Sequence, residues 1–120
     1  MIDEQGLRDY CLSKKGAGED FPFGDEARVF KVMGKMFAII PVSVKPASIS
    51  LKCDPNWSDT LRDTYKSITA GYHLNKTHWN SVIADDSIPE DLIYEMIDHS
   101  YKLIVKALTK DQRKNLEESH

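Results

Sequence analysis

The chain has 120 residues, of which 41% are hydrophobic and 29% are charged, and its net charge is -3 at pH 7. This length suits one domain that buries roughly two thirds of its unfolded surface, so folding needs neither a metal nor a disulfide. No apolar run approaches the ~18 residues of a membrane helix, and the acidic N-terminus does not resemble a signal peptide. We therefore expect a single cytoplasmic domain over residues 1–120 with no membrane association.

The first half of the chain predicts one helix followed by three strands. Asp3 is a suitable N-cap for a helix that runs to about Ser13. Segment 18–26, rich in Gly, Pro and Asp, then predicts a loop. From Ala27 onward the hydrophobic period changes to two, with a tight hairpin at Gly34-Lys35 and short connections that favour an antiparallel meander. The three predicted strands cover residues 29–32, 36–42 and 48–53.

The second half predicts two helices around a pair of short strands. Asp54-Pro55 fits an N-cap followed by proline at the first helical position, for a helix to about Lys66. Two short strands follow over 68–74 and 79–84, joined by a turn at residues 75–78. Ser87-Ile88-Pro89-Glu90 fits a capping box, and the apolar positions of the next segment keep helical spacing up to Leu108. The polar tail 109–120 is expected to add one short, frayed helix.

These elements give the order α-β-β-β-α-β-β-α. The fold class predicted from this order is α+β, an antiparallel sheet of about five strands with helices packed on one side. Two phenylalanines, Phe21 and Phe23, lie in the otherwise polar first loop. We expect them to plug the edge of the core, and an exposed contact patch is the alternative.

Charge is distributed unevenly along the chain. Residues 27–83 carry 8 Lys or Arg against 3 Asp or Glu, whereas residues 1–26 carry 3 against 7 and residues 84–120 carry 5 against 9. A basic middle between acidic flanks can form a local positive surface that the net charge conceals. The alternative is that the acidic flanks fold back and neutralise it.

One stretch stands out by composition, because Gly71–Val82 holds two imidazoles, an indole, a phenol, an ammonium and two carboxamides. This stretch, GYHLNKTHWNSV, resembles the hallmark segment of the MmcQ/YjbR family. The resemblance extends over about residues 5–108 and departs from the pattern where Lys14-Lys15-Gly16 replaces a Leu-Pro-Gly. Four further segments agree with the family: Phe21-Pro22-Phe23-Gly24, Gly34-Lys35-Met36-Phe37-Ala38, Leu51-Lys52-Cys53-Asp54-Pro55 and Asp98-His99-Ser100-Tyr101.

The resemblance implies a small α+β fold described as frataxin-like, or like type III secretion chaperones. It also implies DNA binding, on a double-wing arrangement in which two hairpins, tipped by Gly34-Lys35 and by Asn75-Lys76-Thr77, contact the nucleic acid. Lysines provide phosphate affinity, Asn and His can donate to phosphates or base edges, and an aromatic ring can stack on an unpaired base. The candidate DNA-binding residues are Arg28, Lys31, Lys35, Lys52, Tyr72, His73, Asn75, Lys76, His78 and Trp79. The structural alternative places Trp79 in the core beneath a solvated positive face.

A protein-interaction or chaperone-like module is the alternative function. The secretion-chaperone resemblance favours it, as do the Phe21/Phe23 loop and a sheet edge that could pair with a partner peptide or a second copy. In this hypothesis Phe21 and Phe23 are the partner-binding residues.

An enzyme is the least supported class. His73 and His78, with Cys53 or Asp54, could supply metal ligands or a Cys-His pair, but no recognised catalytic or nucleotide-binding motif accompanies them. The two cysteines, Cys11 and Cys53, form no CxxC unit, and we expect them to be free buried thiols. We predict a non-enzymatic protein with no catalytic residue, no metal and no cofactor.

Overall fold

The computed structural model describes residues 1–71 and 74–119, which form one antiparallel sheet covered by helices. The strands are β1 (Ala17–Asp20), β2 (Ala27–Val32), β3 (Lys35–Pro41), β4 (Ser48–Lys52), β5 (Ile68–Ala70) and β6 (Trp79–Ile83). Their order across the sheet is β1-β2-β3-β4-β6-β5. The helices are α1 (Glu4–Leu12), α2 (Pro55–Thr64), α3 (Glu90–Lys106) and α4 (Lys110–Glu118). The predicted α+β class and its antiparallel meander are confirmed.

The two faces of the sheet differ because side chains alternate along each strand. Ile49 and Leu51 of β4 and Val82 of β6 belong to the main hydrophobic core, which also contains side chains of all four helices. The alternate positions, such as Ser50 and Ser81, are paired across β4 and β6 and therefore share the opposite face. We call this second face, turned away from the helices, the outer face.

The local signals in the sequence explain most element boundaries. The carboxylates of Asp3 and Asp54 accept hydrogen bonds from Gly6 and Asn56, which caps α1 and α2 as predicted. The β2–β3 hairpin turns through Met33 and Gly34, whose φ angles are 50° and 78°. Two consecutive residues with positive φ form the hairpin turn that matches the twist of the flanking strands, and glycine adopts such angles without steric cost.

Four predicted details are wrong. Part of the predicted loop 18–26 forms the edge strand β1. This strand is stabilised by pairing with β2 and by ion pairs to β2, which the Gly- and acid-rich sequence of β1 does not indicate. The predicted short helix of the tail is present as α4, but its start is capped rather than frayed, because Thr109 and Gln112 form a capping box. The capping box predicted before α3 is absent, since Pro89 occupies the N-cap without a side-chain hydrogen bond. Strand β5 ends at Ala70, and Gly71 and Leu74 are not part of it, while positions 72 and 73 of the predicted strand lie outside the described residues.

Candidate nucleic-acid interface

Both predicted hairpin tips lie at the same end of the sheet. Ala38 of β3 pairs with Leu51 of β4, which places the start of β3 beside the end of β4. Lys52 pairs with Trp79, which places the start of β6 beside the same end of β4. We call this end, formed by the β2–β3 turn, the last residues of β4 and the 75–78 turn, the hairpin end.

The hairpin end gathers lysines from separate elements. Lys35 follows the β2–β3 turn, Lys52 ends β4 and Lys76 lies in the 75–78 turn. The ammonium of Lys35 donates to the carbonyl of Ala107 at 3.5 Å, so the C-terminus of α3, with the exposed Lys106 in its last turn, reaches the same end. Lys106 was not among the predicted residues. Its only sequence signal is a basic residue in the last helical turn, which is equally explained by the helix dipole.

The 75–78 turn is fixed by its own side chain and by contacts with the strands. The Asn75 carboxamide oxygen accepts from the backbone N–H groups of Thr77 and His78, at 2.9 and 3.3 Å. The carbonyl of His78 accepts from the N–H of Cys53 at 2.8 Å, which ties the turn to the end of β4. The Asn75 oxygen is thus occupied within the turn, while the side chains of Lys76 and His78 are exposed.

Arg62 of α2 clamps the same turn. Its Nε donates to Oδ1 of Asn80 at 2.7 Å, and its Nη2 donates to the carbonyls of Lys76 and Trp79 at 2.6 and 3.1 Å. The Asn80 side chain is 1% exposed and donates in turn to the hydroxyl of Ser58. Arg62 was not among the predicted residues, because nothing local indicates that a helical arginine reaches a turn 14 residues away.

Two predicted DNA contacts are occupied by carboxylates. The Arg28 guanidinium pairs with Glu4 of α1 and Glu19 of β1, both at 3.3 Å. The ammonium of Lys31 pairs with Asp20 at 3.3 Å. Folding back of the acidic N-terminal block therefore neutralises these cations, which was the alternative left open by the charge distribution.

Arg8 and Arg28 also change the pKa of Glu19, the carboxylate that both of them contact. The hydrogen bond from Arg8 lowers the pKa of the Glu19 carboxyl, and the charges of Arg8 and Arg28 act in the same direction against partial burial. Glu19 therefore stays ionised between its two arginine partners, and Arg28 is held in an internal ion pair.

Trp79 is not an exposed stacking surface. Its side chain is 9% exposed, and a Cβ built on Gly71 would lie 3.0 Å from the Trp79 Cβ, so the two chains approach closely there. The prediction that Trp79 stacks on an unpaired base is therefore wrong, and burial of its large apolar ring explains why. Tyr72 and His73 lie outside the described residues.

The Phe21/Phe23 loop is exposed rather than buried. Phe23 is 69% exposed and Phe21 is 40% exposed, so the expected core plug is wrong, and whether the exposed loop is a contact patch stays a prediction. The Cζ atom of Arg28 lies 5.6 Å from the centroid of the Phe21 ring, within the range of a cation–π contact. Phe23 instead lines a groove on the outer face.

The predicted free thiols are confirmed. Cys11 and Cys53 are both buried and unpaired with each other. Burial raises the pKa of the Cys11 thiol to about 12 and also raises the pKa of Cys53, so both stay protonated at neutral pH. Within residues 1–71 and 74–119, no three His, Cys, Asp or Glu side chains converge in a way that could hold a metal ion.

His99 lies beside the end of β4, where this strand continues into α2. Its Nε2 accepts from the backbone N–H of Asp54 at 3.0 Å, and its ring packs edge-on against Trp57 at 4.7 Å between centroids. Burial lowers the pKa of His99 more than the nearby Asp54 carboxylate raises it. The neutral imidazole thus serves as a structural acceptor at the junction between β4 and α2.

In the part of the chain that the structure describes, no helix is long and apolar enough to cross a lipid bilayer. The architecture defines an α+β protein with one six-stranded antiparallel sheet, helices against one face, and a lysine-rich end built from two turns. The YjbR family model matches residues 12–103, and the chain belongs to the YjbR family.

Known relatives agree with this assignment over most of their length. The chain is 34% identical to protein YjbR of Escherichia coli K12 over 110 residues, which cover 92% of this chain and 93% of that protein. It is 42% identical to protein YyaQ of Bacillus subtilis over 117 residues, covering 86% of this chain and 98% of the relative. The crystal structure of Deinococcus radiodurans protein DR2400 superposes with a TM-score of 0.92 at 39% identity, covering 98% and 89% of the two chains.

Proposed function

We propose that this protein is a non-enzymatic, cytoplasmic DNA-binding protein that contacts phosphates through the hairpin end. The observation that carries the proposal is the placement of lysines from four separate elements at the same end of the sheet. Strand register and the Lys35–Ala107 contact place Lys35, Lys52, Lys76 and Lys106 at this end, with Lys52 on the outer face and Lys35 directed toward α3. Their placement at one end is a property of the fold, since 70 residues lie between the first lysine and the last.

The distribution of acidic and basic side chains between the two ends of the sheet also supports this proposal. The opposite end carries the starts of α1 and α3 with their first-turn acids, Glu4, Glu90 and Asp91, together with Asp85 and Asp86 between β6 and α3. Lys66 lies at that opposite end and Asp54 caps α2 at the hairpin end, so the separation is partial, and it is the four hairpin-end lysines that present a positive surface to a polyanion despite a net charge of -3. Affinity from such lysines is sequence-independent, because phosphates rather than bases are contacted.

Salt dependence tests this proposal directly. Four phosphate contacts predict a slope of about -3.6 for the logarithm of the association constant against the logarithm of salt concentration. Binding of labelled duplex should therefore weaken about a hundredfold between ~50 and ~200 mM salt. Absence of any complex at micromolar protein in the low-salt buffer would refute the proposal.

Substitutions localise the interface. Lys35→Gln, Lys52→Gln and Lys76→Gln should each lower the magnitude of the slope by about 0.9. Lys66→Gln is the matched control, because Lys66 is an exposed lysine that precedes β5 at the opposite end of the sheet. Equal losses for Lys66→Gln and the three hairpin-end variants would indicate unspecific attraction to the whole surface.

A protein-interaction module is the second candidate, favoured by the exposure of Phe23. Both edge strands are short, with 4 residues in β1 and 3 in β5, so this candidate depends on the loop more than on edge pairing. Phe23→Ser should abolish a salt-independent complex with a protein partner and leave the DNA salt slope unchanged. A partner retained equally by Phe23→Ser and Phe21→Ser would exclude this loop as its binding surface.

A further inference from the structure

A groove with a volume of about 520 Å³ lies on the outer face of the sheet, between the Phe21/Phe23 loop and the segment that contains Leu74. Its floor is polar but uncharged, because Ser48, Ser50 and Ser81 contribute hydroxyl groups. The Oγ atoms of Ser50 and Ser81 lie 3.4 Å apart. The walls are mainly apolar, and the residues that form them are Phe23, Ala27, Ile39, Pro41 and Leu74.

This combination suits a small organic molecule. Pockets for such ligands have volumes of roughly 300–1,000 Å³ and combine apolar walls with a few polar groups that fix orientation. No charged side chain lines the groove among the described residues, so the part of the ligand that enters it must be uncharged. The groove is concave and flanked by loops, which fits a ligand of this size better than the flat surface of a second protein.

The ammonium group of Lys52 lies near one end of the groove. Lys52 follows Ser50 by two positions on β4, so both side chains lie on the outer face about 6.8 Å apart along the strand. Among the described residues no ion pair involves Lys52, whereas the other outer-face lysine near this end, Lys31, is paired with Asp20. Charge complementarity therefore places an anionic group of the ligand at Lys52 and its apolar body over the serine floor.

We propose that the outer-face groove binds a small amphipathic carboxylate, with its apolar body between Phe23 and Leu74 and its carboxylate at Lys52. The proposal is independent of DNA binding except that both use Lys52. Dodecanoate is a suitable probe, with dodecanol and dodecylammonium as probes of equal chain length and different charge. All three are used below their aggregation thresholds, so that a free monomer rather than a lipid surface is tested.

Binding is measured by calorimetry and by the fluorescence of Trp79, which pairs with Lys52 on the outer face. The Trp57→Phe background removes the other indole, which packs on His99. Dodecanoate should bind saturably with one site, dodecanol about fivefold more weakly, and dodecylammonium more weakly still, as expected for one partly solvated charge pair. No saturable binding, or tightest binding of dodecylammonium, would overturn the proposal.

Two variants separate the two parts of the site. Lys52→Gln should remove the preference for dodecanoate over dodecanol, and Lys114→Gln, an exposed lysine on α4, should leave that preference unchanged. Ser50→Leu should fill the floor of the groove and abolish binding of both probes while it leaves every lysine of the hairpin end in place. Retained dodecanoate binding in Ser50→Leu, or an unchanged preference in Lys52→Gln, would refute the site. Because Ser50→Leu leaves the DNA salt slope intact, failure of the groove and failure of the DNA proposal are distinguishable.

Discussion

Replacement of Arg62 should destabilise the protein through the buried Asn80 side chain. Arg62→Met keeps much of the apolar stem but removes three hydrogen bonds, one to Asn80 Oδ1 and two to the carbonyls of Lys76 and Trp79. Asn80 is 1% exposed, so its oxygen has no access to water and costs about 1–3 kcal/mol when left without a donor. The carbonyl of the exposed Lys76 can be rehydrated, which limits its contribution to roughly 0.5 kcal/mol. We expect a total loss of about 1.5–3.5 kcal/mol.

Urea denaturation at neutral pH measures this loss, and a thermal scan should show a Tm lowered by roughly 6–14 °C. Arg113→Met is the matched control, because Arg113 is exposed on α4 and its loss should change the free energy of unfolding by less than about 0.5 kcal/mol. A double-mutant cycle with Asn80→Ala should return a coupling energy of about 1–2 kcal/mol. A cost below about 0.5 kcal/mol for Arg62→Met, or additive single effects, would show that the clamp contributes nothing to folding.

Three further predictions concern ionisation and backbone strain. Burial lowers the pKa of His99 in the folded state, so below the ordinary pKa of histidine the unfolded chain binds more protons than the folded one. The free energy of unfolding should therefore decrease as the pH falls through that range. Denaturant titrations from pH 7 to pH 5 should show a smaller decrease for His99→Gln than for the unsubstituted protein. Cys11 and Cys53 should resist a thiol-specific reagent at pH 8 in the native protein and react fully in denaturant, whereas rapid native labelling would contradict their buried, protonated state. Ser43→Gly should raise the free energy of unfolding by about 0.5–1 kcal/mol, since Ser43 is exposed with a φ of 62°, and a loss measured in urea would contradict this account.

The elements that the sequence predicted correctly are those with strong local signals. Asp3 and Asp54 cap helices through their own carboxylates, and the alternation of Ser48, Ser50 and Lys52 with apolar residues correctly assigned the two faces of β4. The Gly34 hairpin follows from the freedom of glycine at positive φ. Each of these features is decided within a few residues, so pattern and propensity suffice.

The features that the sequence did not predict depend on distant partners. Strand β1 exists through pairing with β2, and Arg28 is unavailable because Glu4 and Glu19 reach it from α1 and β1. The burial of Trp79 depends on the approach of Gly71, and the contribution of Lys106 depends on the direction of α3 across the sheet. Composition could identify a basic middle segment, but only the register of the sheet determines which of its cations share one end.

The two proposed sites share Lys52, and this makes them thermodynamically coupled. A carboxylate bound at Lys52 neutralises one of four cations of the hairpin end, so saturating dodecanoate should change the DNA salt slope from about -3.6 to about -2.7 and weaken binding at low salt. The reduction in DNA affinity must equal the factor by which DNA weakens dodecanoate binding, because coupling between two ligands is reciprocal.

Fluorescence anisotropy of labelled duplex, with dodecanol as the uncharged control, measures the factor by which dodecanoate weakens DNA binding, and calorimetry measures the factor by which DNA weakens dodecanoate binding. In Lys52→Gln both factors should fall to one. Identical DNA binding with and without saturating dodecanoate in the unsubstituted protein would show that Lys52 does not serve both ligands.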